Sequence, residues 1–316
     1  ASVGSVAGGG TEASIESVKA PYLVLGAAFV LVAAFLKFSS VPNFIDLEGL
    51  ARDEAVEANK LVHKPSAFAY PQLVLGMVAI FVYVGVEVST ISNLPAYLEE
   101  DLGIPTSQLA PYVSLYWASM MIGRWAGAAG AFTVGTSTRR MLTILLPYLA
   151  FGVYLAVNAI ADHDVSRFFG YSLVILTMIA ATFASGGNPA RMLLYFALCG
   201  ITATLIGMAT SGTASVVAFI SVGLFCSVMW PCIFALAITG LGRNTNQGSS
   251  LLIMMIMGGG IISWLQGWLA DLTSIHFSFI VGVACFAYLA FYALRAPVIL
   301  RKQGIDLDQM TAQGGH

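Results

Sequence analysis

The sequence predicts an all-α polytopic membrane protein, and three observations carry that prediction. Of 316 residues, 58% are hydrophobic and 9% charged, with a mean hydropathy of +0.84; soluble domains rarely reach such values. The apolar residues gather into nine stretches, each near the roughly 20 residues that a helix needs to cross a 30 Å bilayer core. Nearly every Lys and Arg falls in alternate gaps between them. Strands are excluded because lipid admits only helices or closed barrels, and these runs lack a barrel's two-residue alternation.

Taken in order, the predicted spans are Pro21–Val41, Pro71–Leu98, Leu109–Phe132, Met141–Ile160, Phe168–Ala184, Arg191–Ser211, Ala214–Thr239, Gln247–Ala270 and Phe277–Leu294. Only Gly212 and Thr213 separate the sixth from the seventh, so these two form a tight helical hairpin. Basic residues in short loops set the direction. Arg52, Lys60, Lys64, Arg139, Arg140, Arg191, Arg243, Arg295, Arg301 and Lys302 mark one side as cytoplasmic, including the C-terminus. The alternate loops carry Glu99, Glu100, Asp101, Asp162, Asp164 and Asp271, with Arg167 as the lone basic exception. Ala1 then lies outside. With no Met and no signal sequence before it, Ala1–Gly10 reads as a flexible loop inside a longer protein.

The remaining composition excludes several functions. Cys199, Cys226, Cys232 and Cys285 all fall in predicted membrane helices and form no disulfide framework. His63, His163, His276 and His316 read as isolated loop or end residues without metal-ligand spacing. No phosphate-cradling loop, nucleophile elbow or zinc motif occurs, so no cofactor is expected. A net charge of −2 without a large basic patch gives no reason to invoke nucleic acid.

Polar groups at membrane depth carry the functional signal, since each buried charge costs about 2.5–3.5 kcal/mol on insertion scales. Glu87 lies near the middle of the second span, with Tyr83 and Thr90 about one turn away on the same face. A carboxylate there can accept ligand hydroxyls, bind a proton or pair with a cation; the structural alternative is a protonated carboxyl bonded to another helix. The third span places Tyr112, Tyr116 and Ser119 at helical spacing, followed by Arg124 between Gly123 and Gly127. The two glycines form a small-xxx-small face for close helix packing. Arg124 either snorkels to the cytoplasmic edge or pairs with a carboxylate. In the seventh span Trp230 offers a flat apolar face to a ligand, and Pro231 kinks the helix by removing one backbone hydrogen bond. Gly258, Gly259 and Gly260 weaken the eighth span by about 1 kcal/mol each, which suits a hinge or a close crossing. Ser263 and Gln266, about one turn apart, suit either a polyhydroxylated ligand or an interhelical hydrogen bond.

Together these segments resemble the fucose–proton symporter family of the major facilitator superfamily, particularly its glucose/galactose transporter branch. The resemblance runs from Trp230-Pro-Cys-Ile-Phe through Arg243-Asn-Thr-Asn-Gln-Gly248 and Gly258-Gly-Gly260 to Gln266-Gly-Trp-Leu-Ala-Asp271. Tyr83-Val-Gly-Val-Glu-Val-Ser89, Tyr116-Trp117 and Ile122-Gly-Arg124 extend it upstream. It implies an external loop over 1–19, the family's helix six over 20–41, a cytoplasmic central linker over 42–69 and helices seven and eight over 70–136. An inserted transmembrane hairpin then covers 137–189, helices nine to twelve 190–295, and a cytoplasmic tail 296–316. The hairpin has no ionisable residue within its apolar stretches and is expected on the lipid-facing periphery. Asp46–Asn59 in the linker reads as a solvated helix. Helices one to five of the family are absent, so the chain reads as a C-terminal portion whose N-terminal bundle, with its proton-coupling acids, is missing.

The implied function is proton-coupled sugar import across the bacterial inner membrane by alternating access; another solute, or a non-transporting receptor or structural role, is the alternative. The residues expected at the sugar are Glu87, Tyr83, Thr90, Tyr116, Trp230, Ser263 and Gln266. Arg124, Pro231, Gly258, Gly259 and Gly260 are expected to gate or bend the helices. The resemblance implies Asn at the position where Cys226 stands, so one polar sugar contact is expected to be lost or replaced there.

Overall fold

A computed structural model describes residues 65–128 and 135–307, together with part of 23–37. The chain divides into two units, Ala1–Asp53 and Glu54–His316. In the first unit the described residues are helical, and Leu23, Phe29, Leu31 and Phe35 are exposed as in a bilayer-facing helix. The expected loop over 1–19, the linker helix Asp46–Asn59 and the last residues of the tail lie outside the described residues.

In the second unit the elements are α1 (Pro71–Glu100), α2 (Ala110–Ala128), α3 (Thr136–Ile160), α4 (Tyr171–Ser185), α5 (Pro189–Ala209) and α6 (Gly212–Cys226). Then follow α7 (Met229–Ile238), α8 (Thr245–Met254), α9 (Gly258–Leu272), α10 (Ile275–Ser278) and α11 (Ile280–Lys302). Seven segments among the described residues are long and apolar enough to cross a membrane: Pro71–Glu100, Thr136–Ile160, Ser166–Ser185, Pro189–Ala209, Gly212–Ile238, Gly242–Leu272 and Ile275–Lys302. The polar residues of α2, Arg124 among them, keep it out of that set. Its 19 residues still reach about 28 Å at 1.5 Å per residue. With α2 and the helical residues between 23 and 37, the nine predicted spans are accounted for.

Local chemistry sets the ends. Pro71 and Pro189 occupy first-turn positions, where a missing N–H costs nothing. The Asn188 side chain accepts from the amides of Ala190 and Arg191 at 3.0 and 3.3 Å, and Ser274 caps α10 through the Phe277 amide. α11 runs past its predicted end at Leu294 to Lys302, its basic last turn matching the helix dipole.

The helices alternate in direction. At one end Gln72 and Gln303 exchange side-chain amide hydrogen bonds of 3.2 and 2.8 Å, and Gln72 also donates to the Thr239 carbonyl. At the other end the Tyr97 hydroxyl meets Ser215, and His276 Nε2 lies 2.8 Å from the Gly207 carbonyl oxygen. His276 is therefore not the isolated residue that its sequence surroundings suggest. It ties the ends of α5 and α10 together, with Asp101 at 3.9 Å from Nδ1.

Two predicted irregularities sit one turn from where the sequence puts them. The kink expected at Pro231 is a break at Ser227 and Val228; proline's ring collides with the carbonyl four residues back, which is that of Ser227. This break packs against α2 at the small-residue face. A Cβ on Gly123 would overlap the Ser227 side chain, and Gly127 faces Val228. The irregularity near the glycine triplet is a 3-10 turn at Met255–Met257, before the triplet itself. Gly258 and Gly259 instead make the close crossing. A Cβ on Gly258 would meet the Phe81 backbone, one on Gly259 the side chains of Val84 and Val88, and Gly260 faces open space.

The pair α3–α4, expected from the sequence as an inserted hairpin, packs α3 on α2 and α4 on α5 and α6. Its contacts are aromatic with a few hydrogen bonds: Tyr112 and Tyr154 meet Phe168 edge-on, Ser119 and Tyr171 join hydroxyls at 2.7 Å, and Tyr154 donates to the Pro111 carbonyl. The opposite face of α3 exposes Met141, Leu145, Leu149, Val153 and Val157, a stripe four residues apart.

Candidate functional site

Because 3.6 residues make a turn, Phe81, Gly85 and Val88 share one side of α1, and they meet α9. Glu87, two residues past Gly85, projects about 200° round the helix. Tyr83 and Thr90 point the same way. Glu87 is half-buried, whereas Tyr83 and Thr90 are buried. The carboxylate therefore stands at the middle of a long helix, on the side facing away from α9.

Five residues make up its setting. Tyr83 lies one turn before it, with its hydroxyl beside the carboxyl. Tyr83 and Trp230 meet edge-on, with ring centroids 6.1 Å apart, the geometry that opposes a ring's positive edge to a negative face. The fully buried Tyr116 donates to the Glu87 backbone carbonyl at 2.8 Å and so ties α2 to α1 at this level. The Trp117 ring is edge-on to Tyr116 and half-exposed. Arg124 is exposed and lies within electrostatic reach of both Glu87 and Tyr83, so it stands closer to the carboxylate than a role confined to the cytoplasmic edge requires.

The arrangement can accept hydroxyl donors at a carboxylate, offer an aromatic wall to C–H groups and balance charge with a nearby guanidinium. No group of three or more His, Cys, Asp or Glu that could hold a metal occurs among the described residues.

Five of the sequence-predicted residues are thus brought together: Tyr83, Glu87, Tyr116, Trp230 and Arg124. Thr90 shares their helix face. Pro231 lies at the foot of the broken helix that carries Trp230. Ser263 and Gln266 are elsewhere, on α9 at the seam with the opposite side of α1. Gln266 is fully buried, and its Nε2 donates weakly to Ser278 at 3.4 Å while its Oε1 has no partner. The pairs Gly258–Phe81 and Ile262–Gly85 share one register, which brings Gln266 level with Ser89, another buried side chain lacking a partner. Sequence reasoning left Cys226 out of the site set. Its buried thiol is within electrostatic reach of Glu87, Tyr83 and Tyr116, and its spacing of four from Trp230 was the available signal.

No family model matches the chain. A glucose/galactose transporter of Brucella abortus is 32% identical over 284 residues, which cover 89% of this chain and 54% of the relative. A putative glucose/galactose transporter of Helicobacter pylori is 27% identical over 90% of this chain and 55% of its own length. The L-fucose-proton symporter of Escherichia coli is 25% identical over 88% and 51%. Among solved structures, the major facilitator superfamily transporter FucP, crystallised in the outward conformation, aligns with a TM-score of 0.55 at 21% identity, covering 89% of this chain and 55% of FucP. The chain is therefore a homologue of these sugar transporters with the fold of the major facilitator superfamily, and it spans about half the length of the curated relatives it matches.

Proposed function

We propose that the chain is the C-terminal portion of a proton-coupled sugar importer of the bacterial inner membrane, with its C-terminus in the cytoplasm. The observation that supports this most is the half-buried Glu87 carboxylate at mid-helix, flanked by Tyr83, Tyr116 and Trp230 and turned away from the α1–α9 seam. A charge there is costly, and a water-accessible passage shared with a second helical bundle removes most of that cost. The relatives named glucose/galactose transporter support a hexose as the substrate class, and the relative named L-fucose-proton symporter supports the proton as the coupling ion.

In this reading Glu87 accepts hydrogen bonds from sugar hydroxyls, and Trp230, held by Tyr83, covers an apolar sugar face. Tyr116 fixes the height of the carboxylate, and Arg124 compensates its charge when the site is empty. The break at Ser227–Val228 and the crossing at Gly258 position the helices about which the two bundles rock. Ser263 and Gln266 belong to the α1–α9 seam and not to the sugar contact. The inserted α3–α4 hairpin stays off the pathway.

The test is uptake of labelled glucose and galactose by cells expressing the full-length protein. Glu87→Gln, which keeps shape and loses charge, should lower kcat/KM at least tenfold, since a hydrogen bond to a charged group contributes about 1.5–3 kcal/mol. Uptake unchanged by Glu87→Gln, or competition by organic anions and not by sugars, would sink the proposal.

A further inference from the structure

The α3–α4 hairpin does more than cover α2, because three cavities open along its seam with the core. An apolar groove of about 520 Å3 runs between α4, α5 and α6, walled by Val174, Ala203, Val217 and Phe225 among others. Its three hydroxyl residues present little polar surface: Thr177, Thr202 and Ser221 turn back onto the carbonyls of Val174, Leu198 and Ala218 at 2.7, 2.9 and 2.7 Å. Such a groove holds hydrocarbon and not water.

A second cavity of about 440 Å3 shares Val217 with the groove and rises to the end of the bundle, where Tyr112, Arg167 and Thr213 line it. A third, of about 290 Å3, shares Tyr112, Arg167 and Phe168 with the second and adds Asp162, His163 and Asp164. Arg167 is the one Lys or Arg in the inter-span loops that carry Glu99, Glu100, Asp101, Asp162, Asp164 and Asp271. Its guanidinium lies beside the Tyr112 hydroxyl and 3.3 Å from Asp164. The Ser166 hydroxyl and amide both donate to Asp164, at 2.6 and 3.0 Å, which holds its carboxyl below the ordinary aspartate range and so ionised. The mouth thus presents one fixed cation beside two carboxylates, directly above an apolar groove at membrane depth.

We propose that this seam binds a zwitterionic aminophospholipid, phosphatidylethanolamine in chemistry, with its phosphate on Arg167 and Tyr112, its ammonium toward Asp162 and Asp164, and one acyl chain in the α4–α5–α6 groove. Charge complementarity selects the occupant. An anionic headgroup without an amine would set its charge against two carboxylates, whereas the ethanolamine ammonium meets them and its phosphate meets the guanidinium. The groove accounts for the chain, and the threefold-methylated headgroup of phosphatidylcholine offers no N–H to the carboxylates. The hairpin is then a lipid-anchored flank of the bundle.

Native mass spectrometry of the purified full chain, titrated with phosphatidylethanolamine, phosphatidylcholine and phosphatidylglycerol of matched chains, reads this directly. Phosphatidylethanolamine should be retained in preference to the other two. Arg167→Gln should weaken that retention roughly tenfold, the loss of one charge-assisted hydrogen bond. Thr177→Trp, at an exposed groove wall, should abolish it by filling the groove. Because Arg167→Gln also frees Asp164, the double variant Asp162→Asn with Asp164→Asn provides a second arm: it should reverse the preference toward phosphatidylglycerol. Equal retention of all three lipids, a preference for phosphatidylglycerol in the unaltered chain, or a double variant that still selects phosphatidylethanolamine would each overturn the assignment and leave only annular lipid.

Discussion

Gly258→Ala tests the helix crossing that sets the position of the candidate site. A Cβ at this residue would stand 2.7 Å from the Phe81 carbonyl carbon and 2.9 Å from its Cα, with the carbonyl oxygen closer still. Backbone cannot swing aside as a side chain can, so α1 and α9 must separate by the better part of an ångström. Forcing a methyl into a packed contact costs about 1–3 kcal/mol. Against this, Ala gains about 1 kcal/mol over Gly in helix propensity; since the overlap is with backbone, the cost falls toward the upper end of that range and the net is a loss of up to about 2 kcal/mol. Gly260→Ala is the internal control. It meets nothing within 4 Å, so only the propensity gain remains and the protein should be unchanged or more stable. The assay is apparent melting temperature in detergent at one scan rate, because membrane proteins unfold irreversibly and only such comparisons hold. Gly258→Ala should melt below the unaltered protein and Gly260→Ala at or above it. Equal melting of the two variants would refute the crossing as described.

Trp230→Ala should raise KM for sugar severalfold in the full-length protein while Trp230→Phe retains most function, as uptake titrations would show; equal loss in both would argue against an apolar sugar wall. Tyr171→Phe removes the hydroxyl that meets Ser119 at 2.7 Å. It should cost about 0.5–1.5 kcal/mol, leave uptake per folded molecule intact, and couple to Ser119→Ala in a double-mutant cycle of melting temperatures.

The spans were legible because lipid imposes the cost of every unsatisfied backbone group on the sequence itself, leaving long apolar runs and few other solutions. Glu87 with Tyr83 was legible for a similar reason: a spacing of four fixes a shared face whatever surrounds the helix. The face that α1 turns to α9 was not legible. It depends on which small residues meet, Gly258 on Phe81 and Gly85 on Ile262, and that is tertiary information. Without it Gln266 reads equally as a ligand contact or as an interhelical hydrogen-bonding group, and only the register at Gly258 and Ile262 sets it across α1 from Glu87. His276 was misread in the same way, since Asp101 and the Gly207 carbonyl reach it only when three helix ends converge. The break falls at Ser227, one turn before Pro231, because the proline ring collides with the carbonyl four residues earlier.

Under the proposed function, the two faces of α1 bear on alternating access. Glu87 follows Phe81 by six residues, about 9 Å along the axis at 1.5 Å per residue, so a tilt of about 10° at the Gly258 crossing carries the carboxylate by roughly 1.6 Å. That shift separates a good hydrogen bond from none. Loosening the crossing would therefore blur the height of Glu87, the group proposed to hold the sugar hydroxyls, without altering any residue of the proposed site. The absence of a Cβ at Gly258 and the Tyr116 hydroxyl on the Glu87 carbonyl act on opposite sides of one helix to the same end. Both keep the Glu87 carboxylate in place relative to α2 and α9, which the proposed rocking of the bundles requires of a helix that carries the binding group.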